Sequence, residues 1–363
     1  MKPLESPKLS SGHNLLTIPS EIMLTFNGLP GWHVRDLGET LTIDEMLSQY
    51  VFEARRSLEE ALRSLLLELR SFALHPQAVY ALTSRGKRLR PTLALLAGEA
   101  VGGNREILIP LAVSVELVHT ATLIHDDIID RDEQRRGKPA LHVQWGDKAL
   151  LAGDLLFTKA ISLVSTFYDR DVLRVIAEAT METCDGEFLD VTMDFENSAE
   201  EEVIAKVRMK SATLFRAAAQ CGTMVGGGAL SEVEAMKRYG ENLGIAYQLV
   251  DDLKEAENGL HGDLKAGRLT LPYFHLYMHG DSRLRSLLKN AFGTGKLPAD
   301  SVKVLGEGLK VYGSFNHCKD RIASHVVKAI ESLKSLRENR YKKLLEAFAY
   351  RFTGVEKPLP KAL

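Results

Sequence analysis

The chain has 363 residues, 45% of them hydrophobic and 26% charged. That composition excludes disorder over most of its length and suits one large domain or two ordinary ones. A formal net charge of -2, spread over many charges of both signs, excludes a protein that coats nucleic acid, which carries a clear basic excess.

Residues 1–40 are rich in Pro, Gly and Ser and include NGLPGW; they read as a loosely structured extension, with the main domain running from 41 to 363. The N-terminus lacks the apolar stretch of a signal peptide, and no run of about 18 apolar residues goes uninterrupted, so a cytoplasmic protein without a membrane span is expected. Three cysteines, Cys184, Cys221 and Cys318, stand far apart without C-x-x-C spacing. They predict neither a disulfide framework nor a zinc site, and read as buried thiols in a reducing compartment.

From Leu41 onward helical periods dominate. EMLSQYVFEARRSLEEALRSLLLELRSF predicts a long amphipathic helix. Further helices are expected from about Pro91 to Ala100, Glu106 to Asp130, Lys148 to Tyr168, Arg170 to Phe188, Ser198 to Gly222 and Ser231 to Asn258. The last run, HVVKAIESLKSLRENRYKKLLEAFAYRF, is strongly helical as well. Strand signals are nearly absent and no repeat of fixed period occurs. The expected fold is therefore an all-α, single-domain helical bundle.

One helix ends in an unusual way. Ile107 to Asp130 reads as a core helix with Pro110 in its first turn, yet it closes on D-D-I-I-D. Asp126 and Asp130 are four apart and Asp127 and Asp130 three apart, so Asp130 shares a face with both, about 5.4 Å along the axis. Three carboxylates at the negative end of a helix dipole repel one another and require a cation. Mg²⁺ suits them, because it takes one or two carboxylates and fills its other positions with water and phosphate oxygens. A solvated helix end is the plain alternative. What favours the first reading is RRGKP, with Arg135, Arg136 and Lys138 in a loop just beyond: carboxylates with a metal, together with guanidinium forks, grip a diphosphate.

The same spacing returns in GIAYQLVDDLKE, where Asp251, Asp252 and Glu255 approach a second helix end, with Gln248 one turn earlier on the same face. A second basic run, RGKRLRP from Arg85 to Pro91, is by charge alone an ordinary solvated loop. Lys210, in RMKSATLF, says little by itself. His119 lies two turns before Asp126 on one face, a place from which it can contact a second substrate.

In combination, GKRLRP, HTATLIHDDIID, RRGKP, AGDLLF, KSATL, YQLVDD and GDLKAGRLTLP, in this order, resemble the trans-isoprenyl diphosphate synthases, the polyprenyl synthetase family. The resemblance runs from about Leu41 to the C-terminus. It implies an all-α bundle around a deep central cavity, commonly homodimeric, and Mg²⁺-dependent head-to-tail condensation of isopentenyl diphosphate with an allylic diphosphate. By likeness, Asp126, Asp127, Asp130, Asp251 and Asp252, with Glu255 beside them, hold Mg²⁺. Arg135, Lys210, Ser211, Gln248 and Arg268 serve the allylic substrate; Lys87, Arg90, His119 and Arg136 hold isopentenyl diphosphate.

In this family aromatics four or five residues before the first Asp mark short-product enzymes. Here those positions are Thr122 and Ala121, and Val118, Val115 and Ser114 precede them, so a product of C20 or longer is expected. Several residues depart from the family pattern. Glu255 replaces an Asp, and Arg268 stands where Lys is commoner. Ser211 replaces a Thr, and Asp190 follows Gly186 and Glu187 where Gln is common. The stretch from Glu255 to Gly262 is short and lacks the Lys that often precedes GDL. Two rivals remain: a terpene cyclase, which has no second diphosphate for Lys87 and Arg90 to hold, and a non-catalytic regulatory subunit, which degraded aspartate motifs would mark.

Overall fold

A computed structural model describes residues 41–84, 86–259 and 261–356, all within one compact unit, Asp36–Leu363. The expected extension, residues 1–40, lies outside the described residues, as does Arg85 of the RGKRLRP run. The chain forms α1 (Ile43–Glu68), α2 (His75–Leu82), α3 (Leu89–Ala100) and α4 (Arg105–Asp130). A two-stranded hairpin follows, β1 (Gln134–Arg135) with β2 (Lys138–Pro139), and then α5 (Leu141–Trp145), α6 (Lys148–Phe167) and α7 (Arg170–Thr192). Next come α8 (Glu200–Val207), α9 (Thr213–Val225), α10 (Leu230–Glu257) and α11 (Gly262–Ala266). The chain ends in α12 (Leu271–His279), α13 (Ser282–Ala291), α14 (Ala299–Val311), α15 (Ser314–Ser332) and α16 (Arg340–Thr353).

The fold is all-α, and α4 and α10 carry the two aspartate motifs through its interior. α4 packs against α3 and α6, α9 lies against both α3 and α10, and α10 packs on α15. Leu111, Val115, Leu117, Val118 and Ala121 of α4 are completely buried. A helix apolar all round belongs in a core, where each fully buried Leu contributes ~1.5–3 kcal/mol. By length and composition α4 and α6 are both apolar enough to cross a membrane, at mean hydropathy 1.9 and 1.4, although the sequence reading expected no such segment. Burial of 78% of α4's apolar window inside the fold accounts for α4; α6, only 33% buried, keeps an apolar outer face.

Local chemistry sets the helix ends. Thr42 and Glu45 form a capping box at the start of α1, and Asn339 Oδ1 accepts the Lys342 amide at 2.9 Å to start α16. That cap divides the run read as one C-terminal helix: α15 ends in a 3₁₀ turn, Leu333–Ser335, and α16 begins afresh. The run expected from Ser198 to Gly222 is interrupted too, by a π turn, Arg208–Ala212, whose closing bond runs from the Thr213 amide to the Arg208 carbonyl. Gly186 of α7 makes room for that turn, since a Cβ there would sit 2.7 Å from Lys210 Cα.

α4 starts at Arg105, capped by Asn104, so Pro110 lies beyond the first turn rather than in it. A proline inside a helix opens the hydrogen-bond ladder. Tyr168 enters at that level: its hydroxyl accepts the Leu111 amide at 2.9 Å and donates to the Ile107 carbonyl at 2.7 Å. Of the three cysteines, Cys221 and Cys318 are buried as expected, whereas Cys184 is exposed because it lies on the outward face of α7. Replacing Tyr168 by Phe leaves both backbone groups unpaired and is expected to cost about 1–3 kcal/mol; urea denaturation of the two proteins checks this.

Candidate active site

Between the two aspartate helices lies a cavity of about 440 Å³. Its walls carry six carboxylates, Asp126, Glu187, Asp190, Asp251, Asp252 and Asp263, and six basic side chains, Arg90, Arg135, Arg136, Lys206, Lys210 and Arg268. Charges crowded this closely, and largely buried, are held in pairs.

On the α4 side the helix ends with Arg131 in the left-handed region, φ 58°. The chain then reverses through a two-residue hairpin whose central residues, Arg136 and Gly137, both have positive φ, 56° and 77°, as a tight turn of this kind requires. RRGKP is thus a tight hairpin rather than a loose loop. It folds Arg135 back onto α4, where Nε donates to Asp127 Oδ1 at 2.6 Å. Lys138 points elsewhere, over the Tyr80 ring. Lys210 Nζ reaches Asp126 at 3.0 Å, Glu187 at 2.8 Å and Asp190 at 2.7 Å, and Arg268 pairs with Asp130.

Asp126, Asp130 and Glu187 offer carboxylate oxygens that all lie within 4.8 Å of one another, the geometry of a cation site. Glu187 Oε1 is buried and accepts no hydrogen bond from the described residues, while Asp126 Oδ1 lies 3.0 Å from Lys210 Nζ and Asp130 Oδ2 is paired with Arg268. Carboxylate oxygens that converge in this way are the donors a hard divalent cation takes. Burial pushes Asp130 up to about 6 against the pull of Arg268, and Glu187 up to about 7 against that of Lys210. For Asp126 burial also acts upward, but Lys210, Glu187 and Arg268 together outweigh it and hold the carboxyl below its usual range. Asp127 stays outside this trio, paired with Arg135; Glu187, from α7, completes it. The sequence signal for Glu187 was its spacing from Asp190 in GEFLD, three apart on one helix face.

On the α10 side Asp251 and Asp252 reach the cavity. Burial pushes Asp252 up to about 6. Ser211 Oγ donates to Gln248 Oε1 at 2.7 Å and Gln248 Nε2 to Asp252 Oδ1 at 2.8 Å, so Gln248 joins the π turn to the second motif. Glu255 corrects the sequence reading. Its longer side chain does not line the cavity; it accepts the Gly262 amide and lies 3.4 Å from the Tyr273 hydroxyl, bracing the short loop into α11. Asp263 of α11 lines the cavity instead, raised by burial to about 7.

A second cavity, about 460 Å³, shares Arg90, His119, Arg136 and Tyr247 with the first and adds Lys87, Arg88 and Glu116. Lys87 Nζ donates to Tyr247 Oη at 3.0 Å. Arg90 lies over the Phe215 ring at 4.4 Å and is 3.3 Å from His119 Nε2. A guanidinium only donates, so that ring nitrogen accepts; burial, aided by Arg90, lowers His119 well below its ordinary value and keeps it neutral. Arg88, which the sequence reading counted with the basic loop, is buried, pairs with Glu116 and Glu59 and donates to the Leu82 carbonyl at 2.6 Å. It anchors the loop whose Lys87 and Arg90 face the cavity.

The residues expected to measure product length separate. Thr122 lines the charged cavity, and Val118 lines a mainly apolar one of about 610 Å³ with Phe157, Met181, Cys184 and Phe188. Ala121, Val115 and Ser114 are fully buried, and Ser114 Oγ donates to the Pro110 carbonyl. The aromatic side chains that line this apolar cavity, Phe157 and Phe188, come from α6 and α7.

Residues 73–307 match the family model of the polyprenyl synthetases. The geranylgeranyl diphosphate synthase of Methanosarcina mazei is 36% identical over 79% of this chain and 91% of its own length. The octaprenyl diphosphate synthase of Escherichia coli is 32% identical over 75% and 86%. A polyprenyl synthase from Caulobacter crescentus, solved with calcium and isoprenyl diphosphate, superposes with TM-score 0.77 at 27% identity, covering 87% of this chain and 98% of that one. With two acid-lined helix ends facing one cavity and a basic pocket sharing its wall, the chain belongs to the polyprenyl synthetase family, the prenyltransferases that join isopentenyl diphosphate head to tail to an allylic diphosphate.

Proposed function

We propose that the protein extends an allylic diphosphate held in the first cavity with isopentenyl diphosphate held in the second, giving an all-trans product of C20 or longer. The observation that carries this reading is the shared wall: Arg90, His119, Arg136 and Tyr247 border both cavities, so two anions bound there lie side by side. A cyclase has no use for the second pocket.

Asp126, Asp130 and Glu187 on one side, with Asp251 and Asp252 opposite, are the proposed holders of Mg²⁺. Bound there, Mg²⁺ stabilises the negative charge that develops on a departing diphosphate. Arg135, Lys210 and Arg268 already stand among these acids and grip the same diphosphate oxygens. Lys87, Arg90 and Arg136 fix the isopentenyl diphosphate, with Arg90 aimed by His119 and Phe215, so that its double bond faces the ionising allylic carbon. The growing chain runs from Thr122 toward the apolar groove at Val118, Phe157, Met181 and Phe188, which a second copy packed on α6 and α7 would close against water. The proton lost at the end goes to the released diphosphate.

We further propose a homodimer. Leu150, Leu151 and Ile161 of α6 and Met181 and Phe188 of α7 are exposed, the last two at 64% and 63%; an apolar face of this extent fits burial against a second copy. Free cysteines accord with the cytoplasm.

Three measurements test this. Purified protein with Mg²⁺, isopentenyl diphosphate and dimethylallyl, geranyl, farnesyl or geranylgeranyl diphosphate is expected to yield products of C20 or longer by mass spectrometry, and Ala121→Phe shorter ones. No condensation with any primer favours a regulatory subunit; unchanged lengths in Ala121→Phe sink the α4 ruler. Raised pKa values at Asp130, Glu187 and Asp252 mean that the folded protein binds more protons than the unfolded chain between about pH 4 and 7, so these groups lose stability as pH rises through that window. Mg²⁺ needs the deprotonated carboxylates, so it should raise the melting temperature more at pH 8 than at pH 6. Finally, Met181→Glu with Phe188→Glu is expected to give monomers by light scattering.

A further inference from the structure

Lys206 sits in the last turn of α8 with its side chain 5% exposed, yet it lines the charged cavity. A lysine is seldom so buried unless its ammonium is matched. Lys206 Nζ donates to Asp190 Oδ1 at 2.6 Å and to the Leu269 carbonyl at 2.9 Å. Asp190 Oδ2 accepts from Lys210 at 2.7 Å. One carboxylate therefore holds two ammonium groups: Lys210 faces the first aspartate helix through Asp126, while Lys206 is tied to Leu269, between Arg268 and Thr270 on the cavity wall.

Two departures from the family pattern meet at this point. The stretch from Glu255 to Gly262 is short and without the lysine that often precedes GDL. Asp190 stands where Gln is common, and a carboxylate there requires a cation that an amide does not. The ammonium of Lys206 has three N–H bonds, and two go to Asp190 and Leu269.

We infer that Lys206 binds the allylic diphosphate through its third N–H, on the second-motif side, in place of the lysine the short loop lacks, and that Asp190 is the residue that positions it. The inference rests on reading the cavity as the allylic diphosphate site. A cation buried only to neutralise Asp190 has no need of the cavity wall, and Lys210 already bonds that carboxylate.

Asp190→Gln with Lys206→Met, made together, removes the pair without stranding either charge. The expected result with farnesyl diphosphate as primer is a KM raised about 10- to 100-fold, the loss of one charge-assisted hydrogen bond, with the KM for isopentenyl diphosphate within twofold of wild type. Asp190→Gln with Lys206→Arg, which keeps a cation, should restore most of that affinity. Should the Met pair melt below assay temperature, Asp190→Gln with Lys206→Gln carries the same expectation. Wild-type KM for farnesyl diphosphate in the folded Met or Gln pair overturns the inference, as does an equal loss in the Arg pair. Wild-type protein inactive with every primer fails the reading of the cavity itself, and that is seen without any variant.

Discussion

Six carboxylates and six basic side chains face one cavity, and the cost of burying an unmatched charge governs how they are arranged. Removing one member of such a pair is far more damaging than never having had it. The interior therefore holds its acids and bases as mutual partners: Arg135 with Asp127, Arg268 with Asp130, Lys210 with Asp126 and Glu187, Lys206 with Asp190. A divalent cation and a diphosphate bring the same two kinds of charge and can replace these partners by exchange.

The helices serve that arrangement. α4 and α10 end at the cavity, so their dipoles add negative potential to the acids already there, and the cations must come from elsewhere in the chain. The Arg136–Gly137 turn sends Arg135 back to α4. The π turn beside Gly186 carries Lys210 to α7, and the brace from Glu255 to Gly262 holds the short loop from which α11 and then Arg268 follow. Each device is local, and each supplies a positive charge that the aspartate helices lack.

α4 and its motif were legible in the sequence because both follow from helical period: a run apolar on every face, then acids three and four apart. The second motif and the order of the basic segments were legible for the same reason, as were the all-α class and most helix ends. What periodicity does not carry is which side chain another helix brings close. Glu187 and Lys206 join the site only through packing of α7 and α8, and Tyr247 through the face that α10 turns to the basic loop. Glu255 has an acid's charge but one more methylene and a shortened loop beside it, so it reaches a backbone amide instead of the cavity. Tyr168 mends a proline break some sixty residues away, and Phe157 and Phe188, which line the apolar cavity beside Val118, lie on helices that a ruler read from α4 alone leaves out.

If acids and bases exchange partners when the ligands enter, metal and diphosphate must help each other bind. Mg²⁺ alone would strand Arg268 and Lys210, and diphosphate alone would strand the carboxylates. Calorimetric titration of Mg²⁺ into the protein, with and without an unreactive farnesyl thiolodiphosphate and corrected for Mg²⁺ bound by the analogue in solution, tests this directly. The expected result is at least tenfold tighter Mg²⁺ binding with the analogue present, and by linkage the same gain for the analogue with Mg²⁺ present. Equal Mg²⁺ affinity in both titrations would contradict the exchange.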